Sequence, residues 1–433
     1  MSGDPDAIVV GGGLAGLACA RMIARAGRRV LVVEAADRVG GRVATDSVDG
    51  FRIDRGFQVY LDAYPEGRRQ LDLPALGLGC FEPGALVAAG GRLRAVADPW
   101  RRPLAALRSI LDGSVGIADG LKTARLRSDA LRGFRAGRAD PDRPAAATER
   151  STREELIARG FSETFLERFF EPFFGGVFLE RSLETSAVVF EFVFAMFALG
   201  RACLPRGGMD AIPRQLAAAL PADAILLQTP VASVRPGAVV LADGVEHRAP
   251  AVVVAADATA AARLLPSEQA AGLGGRRWKA TRMVAFAATK SPLDRPTLVV
   301  SAEKDGPIDN LTVPSDVAAG YAPPGAALVY ASIRQDWPGD DAGLHDAVRR
   351  QAAGWFGQVA HAWTHLSTVR VPRALPDESP AARRARPAGP RLAPGLFLCG
   401  DHCASASING ALASGRACAE AVIAAGGVEA PTC

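Results

Sequence analysis

Residues 7–34 read AIVVGGGLAGLACARMIARAGRRVLVVE, and the order of chemical types in this stretch decides the fold. Ala7 to Val10 is a short, wholly apolar run that ends in glycine, the pattern of a strand buried on both faces. Gly11, Gly13 and Gly16 fit G-x-G-x-x-G, with Gly12 inside the turn. Leu14 to Ala26, with Ala15 in its first turn, then reads as an Ala-rich apolar helix stopped by Gly27. A second strand, Arg29 to Val33, ends in Glu34, about twenty residues beyond the glycines, where a carboxylate can accept hydrogen bonds from a ribose hydroxyl pair. The glycines matter because a Cβ would block both the tight turn and the approach of a pyrophosphate to the backbone N–H groups and the positive end of the helix dipole. A helix that merely follows a glycine turn is the alternative. Strand, turn, helix, second strand and acid in register point instead to a dinucleotide-binding α/β unit.

Working outward, residues 35–42 read AADRVGGR: Ala35 follows the acid, and Arg38 and Arg42 flank the Gly40-Gly41 turn, where guanidinium groups reach phosphate oxygens. The glycine fold alone suits NAD equally well. The combination VVGGGLAGL, then Glu34, then DRVGGR resembles the opening of the flavin-containing amine oxidoreductase superfamily, which includes amine oxidases, protoporphyrinogen oxidases and phytoene desaturases. That resemblance implies FAD.

The far end of the chain carries a counterpart. Leu396 to Cys399 reads as a strand, Gly400-Asp401 closes it, and SINGALASGRACAEAVI runs from Ser407 into a small-residue helix ending near Gly426. This resembles the superfamily's closing segment, which implies that Asp401 contacts the ribityl-phosphate portion of the flavin and that the helix start, with Ile408 and Gly410, faces the isoalloxazine. Reduction places negative charge on the N1–C2=O side of a flavin, and N–H groups at a helix N-terminus stabilise it. His402 and Cys403 beside Asp401 raise the option of a covalent flavin, but the family has no precedent at that spacing, so FAD is expected to be non-covalent. Between the two ends, CLPRGGMDAIPRQLAAAL from Cys203, ILLQTPVASV and AVVVAADATAAARLLP resemble the superfamily's middle return, which implies that Val231 lends its backbone to the adenine. The expected fold is therefore α/β, with a discontinuous Rossmann-like FAD-binding domain (1–75, 203–266 and 388–433) and a second, α+β substrate domain (76–202 and 267–387).

Residues 161–197 hold 11 of the 18 phenylalanines. Phe161, Phe165 and Phe169 share the spacing of one helix face, as do Phe190, Phe194 and Phe197. They make either an aromatic helical core or an apolar tunnel to the flavin, and FEPFFGGVFLERSLETSA resembles the corresponding region of phytoene desaturases and protoporphyrinogen oxidases. Phe174 and Phe194 are the candidates here for substrate contact. In FRIDRGFQVYLDAYPE, the stretch that the resemblance places beside the isoalloxazine, Gly56 and Phe57 are candidates for the cofactor and Gln58 and Tyr60 for the substrate. Val371 to Pro376, VPRALP, resembles the short segment that flanks the substrate chamber. Two features depart from amine oxidases. The strand expected to carry a lysine opposite flavin N5, ATRMVAFAATK, offers Arg282 or Met283, and no aromatic pair precedes the final Gly-Asp.

Composition narrows the classes. An apolar fraction of 49% and a charged fraction of 22% are those of a soluble globular chain able to bury large cores. The net charge of +4 is small for the length and gives no reason to expect nucleic acid as a partner. The start of the chain has no basic, apolar and cleavable pattern, which leads to the expectation of a cytoplasmic protein. Its longest apolar run, Val188 to Leu199, is broken by Glu191 and is too short to cross a bilayer. Arginines between 101 and 143, among them Arg101, Arg102, Arg125, Arg127, Arg132, Arg135 and Arg138, form either a solvated helical face or a basic surface for peripheral contact with an anionic membrane. Ser151 and Glu154 have the spacing of a capping box, and Ala381 to Pro394 reads as a connector. Seven scattered cysteines show neither a disulfide framework nor metal spacing, so buried free thiols and no metal are expected.

The chemistry expected is hydride transfer from an apolar small molecule to flavin N5, with C–C desaturation favoured. Amine oxidation and a redox-neutral isomerisation are the alternatives. No acid or base is assigned. With no second G-x-G-x-x-G and no C-x-x-C, the electron acceptor expected is oxygen or a quinone.

Overall fold

The computed structural model describes residues 4–97, 100–101, 116–338, 341 and 343–426. A six-stranded sheet is ordered in space Ile225–Leu226, Val30–Val33, Ala7–Val10, Ala251–Val254, Leu396–Leu398, Arg391–Ala393. The first five strands are parallel and the last closes the edge antiparallel. Ala7–Val10, Val30–Val33 and Ala251–Val254 are buried at every residue, which their unbroken Ala, Ile, Leu and Val content permits. Ala7 lies opposite both Val30 and Ala251, so the glycine turn after Val10 and Glu34 after Val33 leave the same edge of the sheet. That carboxyl-terminal edge is where open α/β sheets bind ligands. Helix Leu14–Arg25 follows, and the chain reverses at Gly27 with φ +77°. This helix packs on the last one, Ile408–Ala425, so closely that a Cβ at Gly415 would sit 2.3 Å from the Ala15 carbonyl oxygen. Ends of the chain nearly four hundred residues apart thus form one layer, as expected for a Rossmann-like α/β fold.

A seven-stranded sheet makes the second body, in the order Thr364–Pro376, Trp278–Ala288, Ala327–Ile333, Ile308–Thr312, Leu298–Ser301, Gly84–Ala89, Arg92–Ala97. It is antiparallel except where Leu298–Ser301 meets Gly84–Ala89. Helices Ile117–Arg135 and Thr152–Ala158 precede the phenylalanine-rich stretch, which is carried by Glu163–Phe165, Leu166–Phe170, Glu171–Phe178 and Ala187–Leu199. The Ser151/Glu154 capping box opens helix Thr152–Ala158. The rings pack in series, Phe165 on Phe169 at 5.4 Å, Phe169 on Phe173 at 5.7 Å and Phe174 on Phe190 at 4.8 Å between centroids. Phe170, Phe174 and Phe190 are fully enclosed, whereas Phe169, Phe173 and Phe194 are only partly buried. Core packing and cavity lining are therefore both present in the one stripe.

Asp54, at the end of strand Phe51–Asp54, is bonded to Tyr330 of the seven-stranded sheet. Its carboxylate accepts from Thr45 Oγ1 at 2.6 Å, from the Met209 N–H at 3.0 Å and from the Tyr321 hydroxyl at 2.8 Å, and its own N–H donates to Tyr330 Oη at 2.9 Å.

Three readings of the sequence need correction. Cys80 and Cys203 are joined in a disulfide, 123 residues apart in sequence, because strands Gly79–Cys80 and Ala202–Leu204 pair with these two residues opposite each other. Cys19, Cys399 and Cys418 are buried free thiols, and Cys403 is a half-buried one. The stretch read as a connector holds a short helix, Pro380–Arg384, whose Arg383 is buried against Glu149. The arginine-rich segment is not a uniform solvated face: Arg132 pairs with Asp129 at the surface, while Arg101 and Arg127 turn toward a cavity. Arg102 lies outside the described residues. No described helix is long and apolar enough to cross a membrane.

Candidate active site

One cavity of about 1100 Å³ runs from the carboxyl edge of the parallel sheet to the phenylalanine helices. At the sheet end it is bounded by Gly11, Gly13, Leu14, Ala15, Glu34 and Ala35, with Val231 across from them. The strand ends explain this, since residues that follow Val10 and Val33 in register must emerge side by side. Glu34 is locked to the turn: its Oε2 accepts from the Gly12 N–H at 2.6 Å and its Oε1 from the Ala36 N–H at 2.8 Å. Gly11 has φ +112°, and a Cβ there would lie 2.9 Å from the Ala255 carbonyl oxygen. At Gly13 nothing lies within 4 Å of the place a Cβ would take, so this turn leaves an open cradle. Gly12 and Gly16 do not face the cavity; Gly16 seats the helix against the Gly11 carbonyl.

Farther along come Gly41, Arg42, Gly56, Phe57 and Gln58, then Gly400, Asp401 and Ile408. Arg42 Nη2 meets Asp401 Oδ1 at 2.6 Å, its Nη1 donates to the Ala374 carbonyl at 2.8 Å, and its guanidinium lies 5.5 Å from the Trp278 ring. Burial alone would raise the Asp401 carboxyl; the charge and hydrogen bond of Arg42 outweigh it and hold Asp401 below the usual range. The Gln58 amide donates to the Arg42 carbonyl at 2.9 Å, which leaves it as a brace for the turn. Ser407 caps the last helix, its Oγ accepting from the Gly410 N–H at 2.9 Å, and Gly410 has no Cβ because Ser405 occupies that space. Ser405, Ser407 and Ile408 at this N-terminus all face the cavity.

Two expected residues go elsewhere. Arg38 pairs with Asp46 at 2.6 Å and donates to the Thr45 carbonyl at 3.1 Å, and it does not border the cavity. Tyr60 is fully buried beneath Gly67, opposite Cys203 in its strand pair, and does not border the cavity. Phe174 and Phe194 do border it.

The structure also supplies a lysine where the sequence reading expected none. Strand Trp278–Ala288 presents Lys279 and Thr281 to the cavity; Met283 is buried in the core, and Arg282 faces Asp341 at 3.7 Å. Lys279 Nζ meets Glu180 Oε2 at 2.6 Å and Thr185 Oγ1 at 3.1 Å, and both the N–H and the hydroxyl of Thr185 donate to Glu180 Oε1 at 2.5 Å. Strand alternation from Thr281 was the available signal for Lys279; its partners, about a hundred residues away, left none. Glu378 also borders the cavity, and burial pushes its carboxyl up to about 7 against the pull of Arg386. His402 is buried with neither ring nitrogen bonded among the described residues; burial lowers it to about 4, and so it stays neutral. Neither His402 nor Cys403 faces the cavity.

An open glycine cradle, an acid at a strand end and a capped helix N-terminus facing one long cavity fit a flavin dinucleotide. The chain belongs to the flavin containing amine oxidoreductase family, whose model matches residues 14–423. Among curated proteins, a phytoene dehydrogenase of Streptomyces griseus is 33% identical over 247 residues, 51% of this chain and 46% of its own length. A pseudooxynicotine dehydrogenase of a Pseudomonas species is 45% identical over 53 residues, 12% of this chain. The chain spans only 11% of the length of that relative, and under half of the phytoene dehydrogenase. Among solved structures, a putrescine oxidase variant superimposes with a TM-score of 0.75 at 17% identity, covering 97% of this chain and 99% of its own. A cyclohexylamine oxidase of Brevibacterium oxydans gives 0.69 at 19% identity, covering 97% and 99%. At these identities the superpositions show the fold.

Proposed function

We propose that the protein binds FAD without a covalent bond and oxidises an apolar organic molecule, with removal of hydrogen across a C–C bond favoured. The observation that carries this reading is the wall beyond Phe57, where Phe165, Phe169, Phe173, Phe194 and Phe197 border the same space as Gly56 and Ile408. Such a wall holds an extended hydrocarbon by burial alone, at ~25 cal/mol per Å². When bound, the flavin supplies a hydride acceptor at N5. Glu34 accepts the ribose hydroxyls, the N–H groups of the glycine turn take the pyrophosphate, and the Arg42–Asp401 pair fixes the middle of the cofactor. The N–H groups at the Ser407 end of the last helix stabilise negative charge, and the phenylalanines exclude water. His402 and Cys403, turned away from the cavity, support the non-covalent reading.

Oxidation at a C–N bond is the second reading, and Lys279 is the observation that favours it. A lysine in the cavity removes one of the differences from amine oxidases, and the putrescine and cyclohexylamine oxidases of like fold act on amines by name. For reoxidation we keep oxygen or a quinone, and for location the cytoplasm with peripheral membrane contact, which the exposed Trp100, Ile117, Leu121 and Leu199 support. The test is anaerobic mixing of the FAD-loaded enzyme with polyenes and with primary and secondary amines while flavin absorbance is followed. Bleaching by polyenes is expected. Bleaching by amines alone overturns the first reading in favour of the second.

A further inference from the structure

The apolar cavity ends on cations. Helix Ile117–Arg135 turns Gly120, Thr123 and Arg127 toward it, at the spacing of one helix face, and Arg101 joins them at the rim. Both guanidiniums are held by the C-terminal end of helix Ala187–Leu199: Arg101 Nη2 donates to the Ala198 carbonyl at 3.0 Å and Arg127 Nη2 donates to the same oxygen at 3.1 Å. Arg101 also donates to the Gly200 carbonyl at 2.6 Å. The negative end of the helix dipole stabilises both charges. Arg127 is oriented further by the Trp100 ring, 4.7 Å below it.

Four other arginines that border the cavity face carboxylates: Arg42 meets Asp401, Arg55 meets Asp46, Arg201 meets Asp62 and Arg373 meets Asp257. Arg127 differs. Its partners among the described residues are one carbonyl and one indole, so most of its five N–H groups have no acceptor among the described residues. A half-buried guanidinium with a fixed plane and spare donors, at the end of an apolar cavity, is suited to carboxylate or phosphate oxygens.

We propose that this rim is an anion subsite, and that the molecule entering the cavity is an amphiphile whose apolar chain lies along the phenylalanines and whose carboxylate or phosphate end is received by Arg127 with Arg101. The proposal rests on the apolar-substrate reading above and narrows it. A hydrocarbon without an anionic end would gain nothing from the spare donors of Arg127.

The experiment titrates FAD-loaded enzyme with laurate and with dodecanol, both below their micelle concentrations, and follows the flavin absorbance and the heat of binding. Laurate is expected to bind tighter by on the order of tenfold, the size of one charge-assisted hydrogen-bonded contact. Arg127→Gln is expected to bring the two affinities together by weakening laurate alone, and Arg127→Lys to keep part of the preference. Arg125→Gln, one helix face away, is expected to leave it unchanged. Melting temperatures confirm that each variant is folded. Vesicles of phosphatidylglycerol form the second arm: if Arg127→Gln weakens vesicle binding and not laurate binding, the anion is a lipid headgroup, which retains the subsite and assigns its source. Equal binding of laurate and dodecanol by the native protein, or an Arg127→Gln variant with unchanged preference in both arms, overturns the proposal while leaving the apolar reading intact. Failure of both ligands to bind refutes the apolar reading as well.

Discussion

Replacing Asp54 by Asn is expected to remove a specific part of the pH dependence of stability. Burial pushes this carboxyl up to about 6, although Thr45, Met209 and Tyr321 all donate to it. A shift from 3.8 to about 6 makes the ionised form of the folded protein about 3 kcal/mol less favourable relative to the unfolded chain. The sign follows. Well below pH 3.8 the carboxyl is protonated in both states and the contribution is complete; as pH rises toward 6, the unfolded chain releases its proton first and the stability is lost. Asparagine does not titrate, its carbonyl keeps the bonds from Thr45 and Met209, and its amide faces the Tyr321 hydroxyl. Glu378, pushed up to about 7 by burial, acts in the same direction but is common to both proteins and cancels in their difference. The assay is urea unfolding of the native and Asp54→Asn proteins from about pH 4 to about pH 8, with tryptophan fluorescence as the signal. The variant is expected to gain roughly 2.5 kcal/mol on the native protein across that interval, most of it below pH 7. Parallel curves would show that Asp54 is ionised without penalty and would refute the reasoning.

Gly13→Val places a side chain where no protein atom lies within 4 Å, so the fold is expected to survive while flavin affinity falls by at least about tenfold, the lower end of an overpacking cost; normal flavin content after purification would contradict this. Asp401→Ala leaves the half-buried Arg42 without its acid, and lowered flavin retention is the expected readout. Cys203→Ser opens a loop of 123 residues, for which closure entropy predicts a loss of up to about 5 kcal/mol. The melting temperature should fall and become insensitive to dithiothreitol, and an unchanged value in the variant would show that the bond adds no stability.

What the sequence determined by itself is what short stretches of backbone dictate. A strand buried on both faces must be apolar throughout, a backbone turn with φ +112° at Gly11 excludes a side chain, and an acid that ends the next strand emerges beside that turn because parallel strands keep register. The same holds for the last helix, whose Ser407 cap and Gly410 are local necessities. The pairing of Arg38 with Asp46, eight residues on in strand Thr45–Val48, carries no local mark. Tertiary structure alone decided the rest. Whether a phenylalanine packs or lines depends on which of its neighbours in space is another ring and which is a void, as the contrast of Phe190 with Phe194 shows. Lys279 with Glu180, Cys80 with Cys203, and Arg127 with the end of a helix seventy residues away are pairs that only the folded topology brings together. The physical cause is the range of the forces. Backbone sterics and hydrogen bonding act between neighbours in the chain and leave a pattern in it, whereas ion pairs, disulfides and cavities form between neighbours in space, and spacing in the sequence does not encode them.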